Sequence, residues 1–100
     1  MTTHEYRRYV LKPEMAEEFV AWYQAGVPAI RARFGFTVEW VVLDRERLAF
    51  DWLVSHPGTR DDFRAAELEL EESDEWRQYL SRIAPSLDDL HASFVDVIVP

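Results

Sequence analysis

Residues 36–56 read FTVEWVVLDRERLAFDWLVSH, two apolar arms joined by the charged link Asp44-Arg45-Glu46-Arg47. Val38, Trp40, Val41, Val42 and Leu43 on one arm, and Leu48, Phe50, Trp52, Leu53 and Val54 on the other, are β-branched, aromatic or aliphatic residues that suit a pleated surface. Each arm is too short for a globular helix, so the stretch predicts a β-hairpin. Neither arm alternates cleanly between apolar and polar, which predicts a sheet substantially covered on both faces. With a link of two or four residues, Trp40 and Asp51 share one face of the hairpin, and Glu39 and Trp52 share the other.

Upstream, Tyr6 to Leu11 (YRRYVL) predicts a first strand that Pro13 stops. Pro13 then opens a helix where its missing N–H matters least, and Glu14, Glu17 and Glu18 sit at the positive end of the helix dipole. Met15, Phe19, Trp22, Gly26, Ile30 and Phe34 recur at spacings of three and four, an amphipathic stripe that closes at Gly35. Pro28 removes the bond its N–H would make to Gln24, so a kink or break is expected around Gly26 to Pro28.

Downstream, Pro57-Gly58 signals a turn, and Thr59 with Asp62 three residues on is a reasonable N-cap. Phe63, Ala66 and Leu70 give the buried line of a second helix, and Glu67, Glu69, Glu71 and Glu72 read as its solvated face. Ser73 caps again, Trp76, Tyr79, Leu80 and Ile83 continue a helical stripe to Pro85, and Ser86 with Asp89 suggests one more helical turn. Ser93 to Val99 (SFVDVIV) is the expected last strand.

The order β-α-β-β-α-β, with helical crossovers and a central hairpin, predicts an α+β ferredoxin-like fold: a four-stranded antiparallel sheet with both helices on one face. The opposite face is left bare, and the second and fourth strands lie at the edges without Lys or internal Pro to guard them. Two subunits packed face to face would cover faces and edges together, so a homodimer is expected. Residues 1–100 carry no repeat, low-complexity tract or linker, and read as one domain.

A formal net charge of −8 disfavours phosphate backbones and anionic lipid, so neither nucleic acid nor membrane is an expected partner. No run of 18 apolar residues or apolar leader occurs, which fits a soluble cytoplasmic protein. There is no Cys, no G-x-S-x-G and no Gly-rich phosphate loop, so covalent catalysis and nucleotide binding are poor expectations. His4, His56 and His91 lack the HxH, HxxxH and HExxH spacings of local metal sites, and neither metal nor cofactor is expected.

Four stretches in order, Tyr6-Arg7-Arg8-Tyr9 through Pro13, Phe34-Gly35-Phe36, Phe50-Asp51-Trp52-Leu53-Val54-Ser55-His56 and Ser73-Asp74-Glu75-Trp76, resemble the dimeric α/β-barrel proteins and, within them, the NIPSNAP-like group. Asp74 stands where that group would carry Pro, a departure that touches only a helix start. The resemblance implies a homodimer with a shared barrel and a pocket between sheet and helices. It implies no established activity; relatives in the wider superfamily include cofactor-free monooxygenases, haem-degrading enzymes and isomerases.

Aromatic residues make up 14% of the chain, four of them Trp, more than a single two-layer core of this length needs. Trp22, Tyr23, Trp40, Trp52 and Trp76 are either core or the wall of an aromatic pocket, with Trp40 or Trp52 as floor. A gap is expected beneath the kink at Gly26 to Pro28, its polar groups drawn from Tyr6 or Tyr9, Arg8 and His56. His56, closing the third strand before the turn, is either a turn-stabilising or exposed residue or an acid/base group or haem ligand. Arg7 and Arg8 point to opposite sides of the first strand, so one enters a covered layer and needs a carboxylate such as Glu39, Asp51 or Asp96, as a structural ion pair or, alternatively, as an anion or substrate clamp. Two readings stay open: a module that binds a small apolar or aromatic molecule, and a small enzyme acting on such a molecule by positioning and desolvation.

Overall fold

The computed structural model describes residues 1–100. The chain forms β1 (Thr2–Leu11), a 3-10 turn (Pro13–Met15), α1 (Ala16–Ala32), β2 (Thr37–Asp44), β3 (Ala49–Pro57), α2 (Arg60–Glu72), α3 (Asp74–Leu80) and β4 (Leu87–Val95). The four strands form one antiparallel sheet in the order β2-β3-β1-β4, which is the ferredoxin-like arrangement with β2 and β4 at the edges. No helix is long and apolar enough to cross a membrane.

Alternation along β1 and β3 divides the sheet into two faces. Tyr9, Leu11, Phe50, Trp52 and Val54 point to one side and bury against Phe19, Tyr23 and Val27 of α1 and Phe63, Ala66 and Leu70 of α2 in one apolar cluster. Tyr6, Arg8, Asp51 and Leu53 alternate with these and face the other way, where no helix packs. On that open face Trp40 is 42% exposed and Val42 55% exposed.

Several elements differ from the sequence expectation. β1 begins at Thr2 rather than Tyr6, because β3 runs on to Pro57 and gives Thr2 to Glu5 a ladder partner each. α1 runs unbroken through Pro28 to Ala32 and does not break at Gly26 to Pro28. Gln24, whose carbonyl loses its bond, is exposed, while Gly26, Val27, Ile30 and Arg31 are buried and hold the helix down on both sides of the proline. Gly35 then supplies the left-handed φ of +88° that ends the turn after α1.

No helical turn forms at Ser86 to Asp89. β4 already starts at Leu87 and stops at Val95, four residues short of the expected end. Its position is set by β1: Leu11 pairs with Leu87 and Val10 with Asp89, so Asp88 is the extra residue of a bulge, and Val95 is spent opposite His4 near the start of β1. A bulge also corrects the facing of Glu39. Val38 pairs with Val54 but Trp40 with Leu53, which leaves Glu39 unpaired and lets its carboxylate accept from Ser55 Oγ at 2.7 Å on the open face rather than joining Trp52.

The second helical segment is split as expected. Thr59 and Asp62 make a reciprocal capping box at the start of α2, and Ser73 ends that helix and caps α3 by accepting from Trp76 N. Glu67, however, is buried rather than solvated, because Phe63, Ala66, Glu67 and Leu70 fall on the single inward stripe of α2.

Candidate functional site

Between α1, α3, the segment that follows α3 and the sheet lies a cavity of about 560 Å³. Tyr9 and Trp52 form its floor on the sheet, and α1 contributes Phe19, Trp22, Tyr23, Val27 and Arg31. Trp76 and Leu80 of α3, Ile83 to Ser86 of the connection, and Leu87 and Leu90 of β4 close the remaining sides. The width of the gap comes from residues 81–86, which arch from α3 to β4 as neither helix nor strand, and not from a break in α1. Leu80, Leu90 and Glu71 are exposed and mark the rim.

The apolar wall is a connected set of rings. Tyr23 meets Trp52 edge-on at 5.2 Å between centroids, Tyr9 meets Trp52 at 5.9 Å, and Phe19 lies 5.6 Å from Trp22. Trp22 stacks on Tyr79 at 5.1 Å and donates from Nε1 to the Tyr79 carbonyl at 3.0 Å. These bonds fix the rotamers of large flat side chains, so the cavity has a defined shape.

Its inner end is cationic. Arg7 enters the covered layer and donates to Glu5 Oε1 at 2.8 Å and to the Tyr9 hydroxyl at 2.9 Å, with Glu67 Oε2 at 3.5 Å. Arg64 donates to Glu5 Oε2 at 3.1 Å and to Glu67 Oε1 at 2.6 Å. The carboxylates that satisfy Arg7 are therefore Glu5 and Glu67, not Glu39, Asp51 or Asp96. Glu5 is fully buried, which is tolerable only because both its oxygens are taken by guanidinium groups.

Arg31 is different. It is 5% exposed, its guanidinium sits 5.0 Å from the ring centres of both Phe36 and Trp52, and neither Nε nor Nη1 has a hydrogen-bond partner. Burial, and then the charge of nearby Arg7, push its pKa down from the ordinary arginine value, while guanidinium remains charged at neutral pH. Two further buried donors are unpaired beside it, the Tyr23 hydroxyl and Trp52 Nε1. Burial raises the Tyr23 hydroxyl pKa well above its usual value, with Arg31 pulling weakly the other way, so Tyr23 holds its proton.

Of the sequence-nominated residues, the fold brings Tyr9, Trp22, Tyr23 and Trp52 together around the cavity. Tyr6, Arg8 and Trp40 lie on the opposite face of the sheet. There Asp51 accepts from Arg8 Nε at 2.9 Å, Arg8 Nη2 at 2.7 Å and the Tyr6 hydroxyl at 2.6 Å, and Tyr6 meets Trp40 edge-on at 6.3 Å. His56 lies outside the cavity and ties the turn after α1 to the end of β3, with Nε2 3.1 Å from the Phe34 carbonyl and Nδ1 2.8 Å from the Pro57 carbonyl. No group of three or more His, Asp or Glu side chains converges as a metal site would require. Sequence reasoning missed Arg31, although Phe19, Tyr23, Val27 and Arg31 repeat every four residues and so share one helical line.

No protein-family model matches the chain, and no curated protein matches its sequence. Solved structures do match its fold. A NIPSNAP domain protein of uncharacterised function from Burkholderia xenovorans superposes with a TM-score of 0.82 at 17% identity, covering 100% of this chain and 99% of that one. A NIPSNAP family protein from Agrobacterium tumefaciens gives 0.83 at 13% identity, covering 95% and 91%. A candidate antibiotic biosynthesis monooxygenase from Bacteroides thetaiotaomicron gives 0.74 at 18% identity, covering 99% and 91%. The fold of this chain is thus the one shared by NIPSNAP domain structures and monooxygenase-like neighbours.

Proposed function

We propose that residues 1–100 form a NIPSNAP-like domain that works as a homodimer and binds a small apolar or aromatic molecule between helices and sheet. The observation that carries this reading is the cavity of about 560 Å³ walled by Tyr9, Trp22, Tyr23, Trp52 and Trp76. Its size falls in the span of about 300–1,000 Å³ usual for small-molecule sites, and it has their form, an apolar wall with few polar groups. The dimer is supported by the open sheet face, where Trp40 and Val42 stand exposed beside the unguarded edge of β2.

Titration with 2-naphthol, followed by tryptophan fluorescence and calorimetry, tests the ligand half of the proposal. Saturable one-to-one binding per chain is expected, weakened at least tenfold by Trp22→Ala in protein that still folds. Absence of saturable binding with every bicyclic aromatic probe, neutral or anionic, would remove the binding reading. Light scattering after gel filtration tests the dimer half: twice the chain mass at low micromolar concentration is expected, and a Trp40→Glu variant should run as a monomer.

A further inference from the structure

One of the two guanidinium groups on the cavity lining has no bonded carboxylate. The two are Arg7 and Arg31, and Arg7 is bonded to two buried carboxylates, Glu5 and Glu67, which the half-exposed Arg64 also reaches. Both Glu5 oxygens are bonded, one by Arg7 and one by Arg64; Glu67 gives one oxygen to Arg64 and the other lies near Arg7. Arg31 is left with no carboxylate. Glu71, the only acidic residue of the lining, is exposed at the rim.

A buried charge without a partner is strongly unfavourable, and a buried donor without an acceptor is rare in folded proteins. Here one such charge and two such donors occur together. Arg31 Nε and Nη1, the Tyr23 hydroxyl and Trp52 Nε1 are all unpaired, and all three residues line the same cavity. Tyr23 and Trp52 rings are packed 5.2 Å apart, and Arg31 lies 5.0 Å over Trp52, so the three side chains are immediate neighbours. Arg31 and Trp52 Nε1 can only donate, and the Tyr23 hydroxyl carries a proton to donate beside the lone pairs with which it can accept. What completes the set is an acceptor with negative charge.

We infer that the cavity takes an aromatic acid, a flat ring system bearing one anionic oxygen group, with that group held by Arg31, Tyr23 and Trp52 Nε1. This rests on the cavity being the ligand site and names the chemistry of the ligand. Phe36 and Trp52, which hold the guanidinium between them, keep water away from the pair and make the charge-assisted bonds stronger than they would be in solvent.

The test compares acid and neutral probes of one shape, 2-naphthoate with 2-naphthamide, and 2-hydroxy-1,4-naphthoquinone, anionic at neutral pH, with 1,4-naphthoquinone. Calorimetry at pH 7 should show each anion binding at least tenfold more tightly than its neutral partner. Arg31→Met should abolish that preference, and Tyr23→Phe, nearly isosteric, should reduce it without touching the fold. The ligand-free Arg31→Met protein should also melt at a higher temperature than the wild type, because an uncompensated buried charge has been replaced by an apolar chain of similar length. Equal affinity for acid and neutral probes would overturn this inference and leave the binding site standing. Failure of all four probes to bind would remove the site itself. A lower melting temperature for Arg31→Met, with the preference for the acid probes intact in that variant, would overturn the inference and make Arg31 a structural residue.

Discussion

Trp22 and Tyr79 bond each other's backbone: the Trp22 indole N–H donates to the Tyr79 carbonyl, and the Tyr79 hydroxyl donates to the Trp22 carbonyl. The two rings stack between these bonds, 19° from parallel. Together with the paired bonds from Arg33, at the end of α1, to Glu75, this clasp holds the short helix α3 to α1, and α3 is one wall of the cavity. Trp22→Phe and Tyr79→Phe each remove one bond and keep most of the ring, so each is expected to lose about 1 kcal/mol of stability. Because both bonds depend on one geometry, the double variant should lose less than the sum, with a coupling of at least about 0.5 kcal/mol in urea unfolding. Strict additivity would mean that the two bonds form independently.

Gly26 sits under that clasp. A Cβ at this position would stand 2.7 Å from Tyr79 Cε1, far inside van der Waals contact. Helix propensity alone favours Gly26→Ala by about 1 kcal/mol. Against this, Tyr79 must swing away and lose a ring stack of about 0.5–1.5 kcal/mol and a hydrogen bond of about 0.5–1.5 kcal/mol. Gly26→Ala should therefore destabilise the wild type by up to about 2 kcal/mol. In a Tyr79→Ala background the same change should stabilise, and this reversal of sign is the measurement that isolates the contact.

The hairpin, the caps at Thr59 and Ser73 and the sheet order were legible from residues alone, because each follows from local propensity and a period of two or 3.6. What escaped the sequence came from partners distant in the chain. The register of β4 depends on a bulge at Asp88 that β1 imposes, so Ser86 with Asp89 looked like a helix start until the neighbouring strand was in place. Glu39 changed face for the same reason. Half of the nominated site residues reached the cavity; Tyr6, Arg8 and Trp40 went to the other face, since alternation says which residues share a face but not which face the helices cover. Arg31 was hidden by its type: an arginine on an apolar stripe is ordinarily read as an aliphatic stem with its head in water. Whether two elements stand apart far enough to leave a cavity is set by packing, and linear spacing carries no record of it.

His56 gives a direct separation of stability from binding. Both its ring nitrogens face backbone carbonyls, those of Phe34 and Pro57, and its ring packs 4.8 Å from Phe36. His56→Ala leaves at least one of these carbonyls without a partner, and a loss of about 1–2 kcal/mol is expected. Affinity for 2-naphthol should stay within about twofold of the wild type, since His56 contributes nothing to the cavity wall. Thermal melts and the fluorescence titration on the same sample check both halves; a large loss of affinity with an unchanged melt would reverse the assignment.

Asp51 makes the open sheet face sensitive to acid. The bonds from Arg8, opposed by some burial and aided by the Tyr6 hydroxyl, hold its carboxyl below the usual carboxylate range. A carboxyl that titrates lower in the folded state than its unfolded value of about 3.9 contributes stability that is complete above that value. That contribution drains away as pH falls through the lower, folded value. Arg8 is half exposed, so solvent screens the pair and its worth is small. Asp51→Asn should therefore be less stable than the wild type at pH 7, and the two should converge as the pH is lowered from 4 towards 2. Tyr6→Phe, which removes a neutral donor and leaves the Arg8 pair in place, should keep most of the pH dependence. Unfolding curves for the three proteins across that range decide the matter: a gap between wild type and Asp51→Asn that stays constant with pH would show that Asp51 acts through shape and hydrogen bonding rather than through its charge.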